Sequence, residues 1–248
     1  MASLRHLGCL FVLLTSTVLS QAAPTAQEII AKARSAALKE PTSADQVKGL
    51  HFEVKVTDLD KKSTGLTILD LAAPQSRRQI SYSPDFFVES ITATNGLEGW
   101  VSTHELRPGG RQENKIIEFK QVARMKDSTV SDLSFFQAPA PNAGSAELLG
   151  TNQVDGKKVY SIEYKYLSGF STIRHFDTRS YELVATDEIM PDGKLQRQVV
   201  KELSWVAGIS FAKREEIYID GKKIAEAVYE KISINPEVSE ASFAFPVR

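Results

Sequence analysis

Apolar and polar residues alternate through most of the chain, the period of a strand whose two faces see different surroundings. The alternation begins at residue 50, where Leu50, Phe52, Val54 and Val56 are interleaved with His51, Glu53, Lys55 and Thr57. Further strands are predicted over 64–71, 76–83, 86–93, 98–103 and 115–120, then over 146–153, 158–166, 170–177, 181–189, 195–205, 208–219 and 223–233. Between such runs stand Asn95-Gly96, Asp155-Gly156, Asp192-Gly193 and Asp220-Gly221. These dipeptides take the positive φ that two-residue hairpins demand. Long strands in sequential hairpins predict one large antiparallel sheet of up-and-down order. Ala138-Pro139-Ala140-Pro141 reads as a loop and not as a domain boundary.

Two stretches break the alternation. Over residues 25–38, Ala26, Ile29, Ile30, Ala33 and Ala37 recur at helical spacing. Thr25 with Glu28 three residues on forms a capping box, and Pro41 stops the helix. Over residues 121–137, Val122, Met125, Val130, Leu133 and Phe136 suit a second helix with an apolar face. The predicted class is therefore α+β and mainly β. An open sheet has an apolar face that must be covered, and the two helical pieces are the available covers.

The first residues have a different character. Arg5, an apolar run over 7–19 and Ser20-Gln21-Ala22 read as a secretory signal peptide over residues 1–22, cleaved after Ala22. A membrane anchor is the competing reading, but the run is too short to span a bilayer comfortably. Cleavage would leave one domain over 23–248, exported and soluble. It would also remove Cys9, the one cysteine in the chain, so no disulfide is expected.

Composition narrows the function only by exclusion. The 248 residues are 42% hydrophobic and 25% charged, ordinary for a globular protein. A formal net charge of −1 offers no basic excess for a nucleic-acid backbone. No Gly-x-Ser-x-Gly elbow, P-loop or dinucleotide-binding turn occurs. His51-Phe52-Glu53 and His175-Phe176-Asp177 each place a histidine and an acid on one strand face, where they could share a metal. A polar outer strand face is the plainer reading. No catalytic residue, metal or cofactor is assigned. Tyr160, Ile162, Tyr164 and Tyr166 alternate on one face, as either a ligand wall or core. Phe135-Phe136 is either a ligand contact or a piece that completes the core. Asp85-Phe86-Phe87-Val88 reads as strand core or barrel rim.

The order of several loose motifs resembles the LolA/LolB-like superfamily of periplasmic lipoprotein carriers and outer-membrane lipoprotein-sorting proteins. A short amphipathic helix precedes the first strand, Leu50-His51-Phe52-Glu53-Val54-Lys55-Val56. A second strand runs into a proline and then an arginine, in Leu69-Asp70-Leu71-Ala72-Ala73-Pro74-Gln75-Ser76-Arg77-Arg78. Next comes a Gly and then a strand-starting Trp, in Asn95-Gly96-Leu97-Glu98-Gly99-Trp100-Val101, followed by a helical segment and more hairpins. Ala241-Ser242-Phe243-Ala244-Phe245-Pro246 resembles the family's closing strand.

The resemblance implies a strongly curved, incomplete β-barrel with a helical lid over an apolar cavity. It implies a monomeric periplasmic carrier of lipid or lipoprotein acyl chains, with inner- or outer-membrane lipoprotein machinery as partners. A lipid- or lipoprotein-sensing regulatory module is the alternative. The expected ligand site is a sheet wall of Phe52, Val54, Ile68 and Trp100 facing Met125, Leu133 and Phe136 of the lid. One departure stands out. The arginine that in the family precedes the proline and ties the lid to the barrel is Ala73 here.

Overall fold

A computed structural model of the chain describes residues 23–81, 88–190 and 192–246. Residues 1–22, expected to be an export signal, and Asp85-Phe86-Phe87 lie outside the described residues. The first element is helix α1 (Ala26–Ala37), followed by a 3-10 turn, Pro41–Gln46. Then come β1 (Leu50–Asp58), β2 (Ser63–Ala72), β3 (Gln75–Ser81), β4 (Val88–Thr94), β5 (Gly99–Glu105) and β6 (Gln112–Ile116). Helix α2 (Phe119–Leu133) separates these from β7 (Gly144–Val154), β8 (Lys157–Tyr166), β9 (Ser171–Asp177) and β10 (Leu183–Ile189). The last strands are β11 (Leu195–Val206), β12 (Ile209–Ile219) and β13 (Lys222–Ile234).

All the strands form one antiparallel sheet in the order β6-β5-β4-β3-β2-β1-β13-β12-β11-β10-β9-β8-β7. Two up-and-down meanders meet where β1 pairs with β13, and β6 and β7 remain as free edges. The sheet is thus curved and open, not closed into a barrel. Hairpin chemistry follows the expected dipeptides. Asp155 and Gly156 sit at φ 50° and 74°, and Asp220 and Gly221 at 49° and 82°. The capping box of α1 forms both of its bonds: Thr25 Oγ1 accepts from Glu28 N at 3.2 Å, and Thr25 N donates to Glu28 Oε2 at 2.8 Å.

Two expectations fail locally. The strand expected over 115–120 ends at Ile116, and Phe119 already opens α2. Ile117 and Phe119 imitate strand alternation at a strand-to-helix junction, where the two periods cannot be told apart over so few residues. The expected closing strand is instead a 3-10 turn, Glu240–Phe243, whose Ser239 side chain caps Ala241 N.

Register fixes which side chains share a face. Leu50 pairs with Leu71, Leu71 with Ser76, Ser76 with Thr94 and Thr94 with Gly99. One step along, Phe52, Leu69, Arg78, Thr92 and Val101 form the next row of the same face. This is the inner face, because α2 lies on it: a Cβ on Gly99 would come within 2.9 Å of Val122 Cγ2. Two buried apolar clusters occupy this face. One gathers Leu38, Leu50, Phe52, Leu71, Phe135 and Ile209. The other packs Ile29, Ile30 and Ala33 of α1 against Ile162, Tyr164 and Phe176. The tyrosine stripe of β8 is therefore core.

Candidate functional site

The segment leaving α2 joins the two clusters. Phe135 is buried in the first, edge-on to Phe211 at 6.0 Å. Phe136 packs in the second, edge-on to Phe176 at 5.1 Å. Both phenylalanines have positive φ, 47° and 72°. Bulky side chains rarely adopt that region, at a cost of roughly 1–3 kcal/mol each. The surroundings hold them there. Arg34 Nη1 donates to the carbonyls of Ser134 and Phe135, the latter at 2.9 Å. Arg174 Nη2 donates to Ser131 O and Oγ, both at 3.0 Å, and Tyr164 Oη donates to Phe136 O at 2.8 Å. A helix ends in unpaired carbonyls and partial negative charge, so two guanidiniums are matched to this position.

Of the expected site residues, Phe52 and Val54 lie buried on the inner face, and Leu133 packs against their cluster. Met125 is half-buried on α2. Phe136 lies past the helix end, in the second cluster. Ile68 and Trp100 do not join them. Ile68 pairs with Glu53 and Gln79, and Trp100 with Ala93 and Ile116, which places both on the outer face. Trp100 Nε1 donates to Phe243 O at 3.3 Å, and its ring meets Phe245 edge-on at 6.5 Å. A period of two leaves parity open: one step of register moves a side chain to the opposite face. Val130 is exposed on α2, and the buried positions there are Val122, Thr129 and Ser131.

The inner face also carries charge that the sequence reading missed. Arg174 pairs across to Thr186, and Glu188 pairs across to Thr172, so both point to the α2 side. Glu215 lies opposite Ala227 and Val200 in the same layer. Asp132 of α2 comes within 3.9 Å of Arg174 Nη2. Burial pushes the Asp132 carboxyl up to about 6 against the pull of Arg174. Half of its side chain is nevertheless accessible, so solvent screening weakens that shift. Burial first, and Asp132 after it, raises Glu188. Burial likewise raises Glu215, opposed by the bond from Tyr229 Oη at 2.8 Å. A sequence signal existed for the position of Arg174 alone: it alternates in step with Thr172 and Phe176, and the three form one buried row.

Each histidine of the repeated pattern lies on the outer face, within a His–Asp–Arg group spread over three strands. His51 Nδ1 meets Asp70 Oδ1 at 2.7 Å and its Nε2 meets Glu53 at 3.3 Å; Arg77 is 3.7 Å from Asp70. His175 bonds Ser161 Oγ at 2.9 Å and Asp187 at 3.0 Å, and Arg197 grips Asp187 through two bonds of 2.7 Å. Asp177 does not join His175; it caps the turn at Arg179 and Ser180. Among the described residues no three His, Cys, Asp or Glu converge as a metal site. Two open grooves lie elsewhere on the molecule. One of about 470 Å³ runs between α1 and Gln137-Ala138, and one of about 620 Å³ lies outside Trp100, beside Arg77 and Phe245.

No protein-family model matches the sequence, and no curated protein matches it. Solved structures do match in fold. A DUF1329 family protein from Desulfovibrio piger superposes with a TM-score of 0.55 at 12% identity, over 90% of this chain and 98% of its own. A LolA superfamily protein from Nitrosomonas europaea gives 0.53 at 13% identity, over 90% and 99%. The fold is LolA-like. A putative outer membrane lipoprotein-sorting protein domain from Vibrio parahaemolyticus also gives 0.53, at 12% identity, over 88% and 97%. In this LolA-like sheet Ala73 is exposed; Arg174 of β9 ties the end of α2 to the sheet, and Arg34 ties it to α1.

Proposed function

We propose that this chain is a periplasmic carrier that holds a lipid or lipoprotein acyl chain between α2 and the inner face of the sheet. The observation that carries this reading is the Phe135-Phe136 pair. Two aromatic side chains, both in costly backbone conformations, fill two apolar clusters at the end of a helix tied down chiefly by side-chain bonds to its carbonyls. Such a plug can exchange with an alkyl chain. Each buried CH₂ gains about 0.8 kcal/mol, and withdrawal of the phenylalanines relieves their strain. The lipoprotein-sorting domain that shares this fold supports the same direction. The reading includes export with cleavage after Ala22, a mature chain that needs neither metal nor disulfide, and binding without catalysis.

Uptake of a fluorescent fatty acid tests it. Leu133→Asp should abolish uptake while circular dichroism keeps its strand signal, because Leu133 borders the cluster and is only half-buried. Phe136→Asp should also abolish it, with a loss of thermal stability since Phe136 packs on Phe176. If the wild type takes up no acyl probe, or the Leu133 variant binds as well as the wild type, the carrier reading fails. The helix is then a fixed layer and the protein acts through its outer surface.

A further inference from the structure

We propose that the open groove beside α1 holds the carboxylate of a free fatty acid on Arg34, with the alkyl chain running from there into the second apolar cluster. This deepens the carrier reading and rests on it: the cargo becomes an alkyl carboxylate, and the groove becomes the mouth of its site.

The first observation is the groove itself. Its volume of about 470 Å³ lies within the roughly 300–1,000 Å³ of small-molecule sites. Ile30, Ala31 and Ala138 give it an apolar lining, and Arg34 and Asp45 stand in the same wall. Ile30 also belongs to the second cluster, and Ala138 packs against that cluster, as does Phe136. The groove is therefore continuous with the cluster that Phe136 plugs. An alkyl chain that displaces the Phe136 ring enters along Ile30 and Ala138 and leaves its head in the groove.

The second observation is a cation that a ligand in the groove can reach. Arg34 lines the groove and keeps a fifth of its side chain accessible. Its Nη1 is committed to the carbonyls of Ser134 and Phe135. Its Nη2 has only Asp45 among the described residues, at 3.9 Å, too far for a hydrogen bond. The Asp45 side chain is 69% accessible, and exposed pairs of this kind contribute about 1 kcal/mol or less. Tyr164 feels the Arg34 charge, but its hydroxyl donates to Phe136 O. A guanidinium fixed through one nitrogen, with its other donors beside an open groove, is matched most tightly by an oxyanion. Asp45 stands at the same groove, so a monoanionic carboxylate meets less repulsion there than a phosphate carrying nearly two charges. An alcohol or ester head brings no charge to the guanidinium at all.

Displacement of a fluorescent fatty acid from the purified protein tests this with decanoate, 1-decanol and decyl phosphate, each below its micelle concentration. Decanoate should bind about tenfold tighter than decanol, the worth of one charge-assisted hydrogen bond. Decyl phosphate should bind less tightly than decanoate. Arg34→Gln should bring decanoate down to the level of decanol. That variant also loosens the end of α2, so Asp45→Lys supplies a second reading that leaves the tie in place: it should widen the preference for decanoate over decanol. Equal affinity for acid and alcohol, tighter binding of the phosphate, or a preference unchanged in either variant overturns the proposal. If no alkyl probe binds, the carrier reading has failed, and saturation-transfer NMR with butyrate, too short to need the cluster, decides the groove separately. A signal that Arg34→Gln abolishes supports the carboxylate site; no signal, or one that the variant keeps, overturns it.

Discussion

Glu215 and Glu216 are neighbours in sequence and opposites in circumstance. Glu215 points to the inner face, where burial raises its carboxyl and only the Tyr229 hydroxyl answers it. Glu216 points outward, where Lys223 at 2.7 Å, helped by Tyr218 and Lys201, holds it at about 2 against burial. The contrast extends across the sheet. On the outer face Asp187 is buried, but Arg197 and His175 more than offset that burial and lower its carboxyl. On the inner face Asp132 and Glu188 are raised, and the guanidinium of Arg174 has a nitrogen to spare. On the outer face the buried Asp187 is held by cations at hydrogen-bond distance, whereas on the inner face Arg78 and Arg124 act on Glu188 without forming an ion pair among the described residues. Folding alone gives no reason to keep unmatched charge, since burying an unpaired ion costs free energy. The difference therefore leaves the inner face as the one whose charges are less well matched within the chain.

The largest effect should come from breaking a matched group. Asp187→Ala strands Arg197 and buried His175, and removing one partner of a buried pair costs about 3–5 kcal/mol. The low end is expected here, because a third of the Arg197 side chain is accessible. Glu215→Gln on the inner face keeps an acceptor for Tyr229 and removes an unmatched charge, so it should cost no stability. Urea midpoints read both. Equal losses in the two variants would erase the distinction between the faces.

The pH dependence should split the faces next. A carboxyl whose folded pKa is raised penalises the folded state when ionised, and that penalty fades as pH falls through the folded value. Asp132, at about 6, thus predicts a melting temperature that rises from pH 7.5 to pH 5, with Glu188 and Glu215 adding in the same sense. The groups that face Asp132 are Arg174, Glu188, Glu215, Tyr166 and Tyr229. Half of the Asp132 side chain is accessible, so solvent screens it and the rise is modest. The outer carboxylates act oppositely. Their stabilisation is present above the ordinary carboxylate range and is lost as pH falls through the lowered values, for Glu216 near 2. Stability should therefore peak on the acid side of neutrality, and Asp132→Asn should flatten the limb between pH 5 and 7.5. A melting temperature that falls steadily from pH 7.5 to 5 in the wild type would contradict the raised inner group.

Most strands, both helices and the hairpin turns were legible because each rests on local periodicity or on a residue type that a particular φ requires; the strand-to-helix junction at Ile116 and the C-terminal 3-10 turn were not. Face assignment was not. Phe52 and Val54 share the inner face, in step with the clean alternation that opens β1. Ile68 was placed wrongly because β2 carries apolar residues on both faces, Leu69 and Leu71 inward and Ile68 outward. Trp100 was drawn outward by Phe243 and Phe245, more than a hundred residues away, and no window of sequence contains that contact. The ties from Arg34 and Arg174 were invisible for the same reason: each joins residues far apart in the chain through a backbone carbonyl, which has no side-chain signature.

The smallest effect completes the comparison between the two glutamates. Glu216→Gln removes the charge that Lys223 and Lys201 share, yet those lysines are about a quarter accessible and Lys223 keeps Glu226 at 2.6 Å. Pairs of that kind contribute about 1 kcal/mol or less and weaken with salt. The variant should therefore lose up to about 1 kcal/mol in dilute buffer, and less in 1 M NaCl. Glu215→Gln should respond little to salt, because its charge lies where ions penetrate poorly. Urea midpoints for the two variants at both ionic strengths give four numbers. If Glu215→Gln were the salt-sensitive one, the inner face would be as open to solvent as the outer, and the separation drawn between the two faces would collapse.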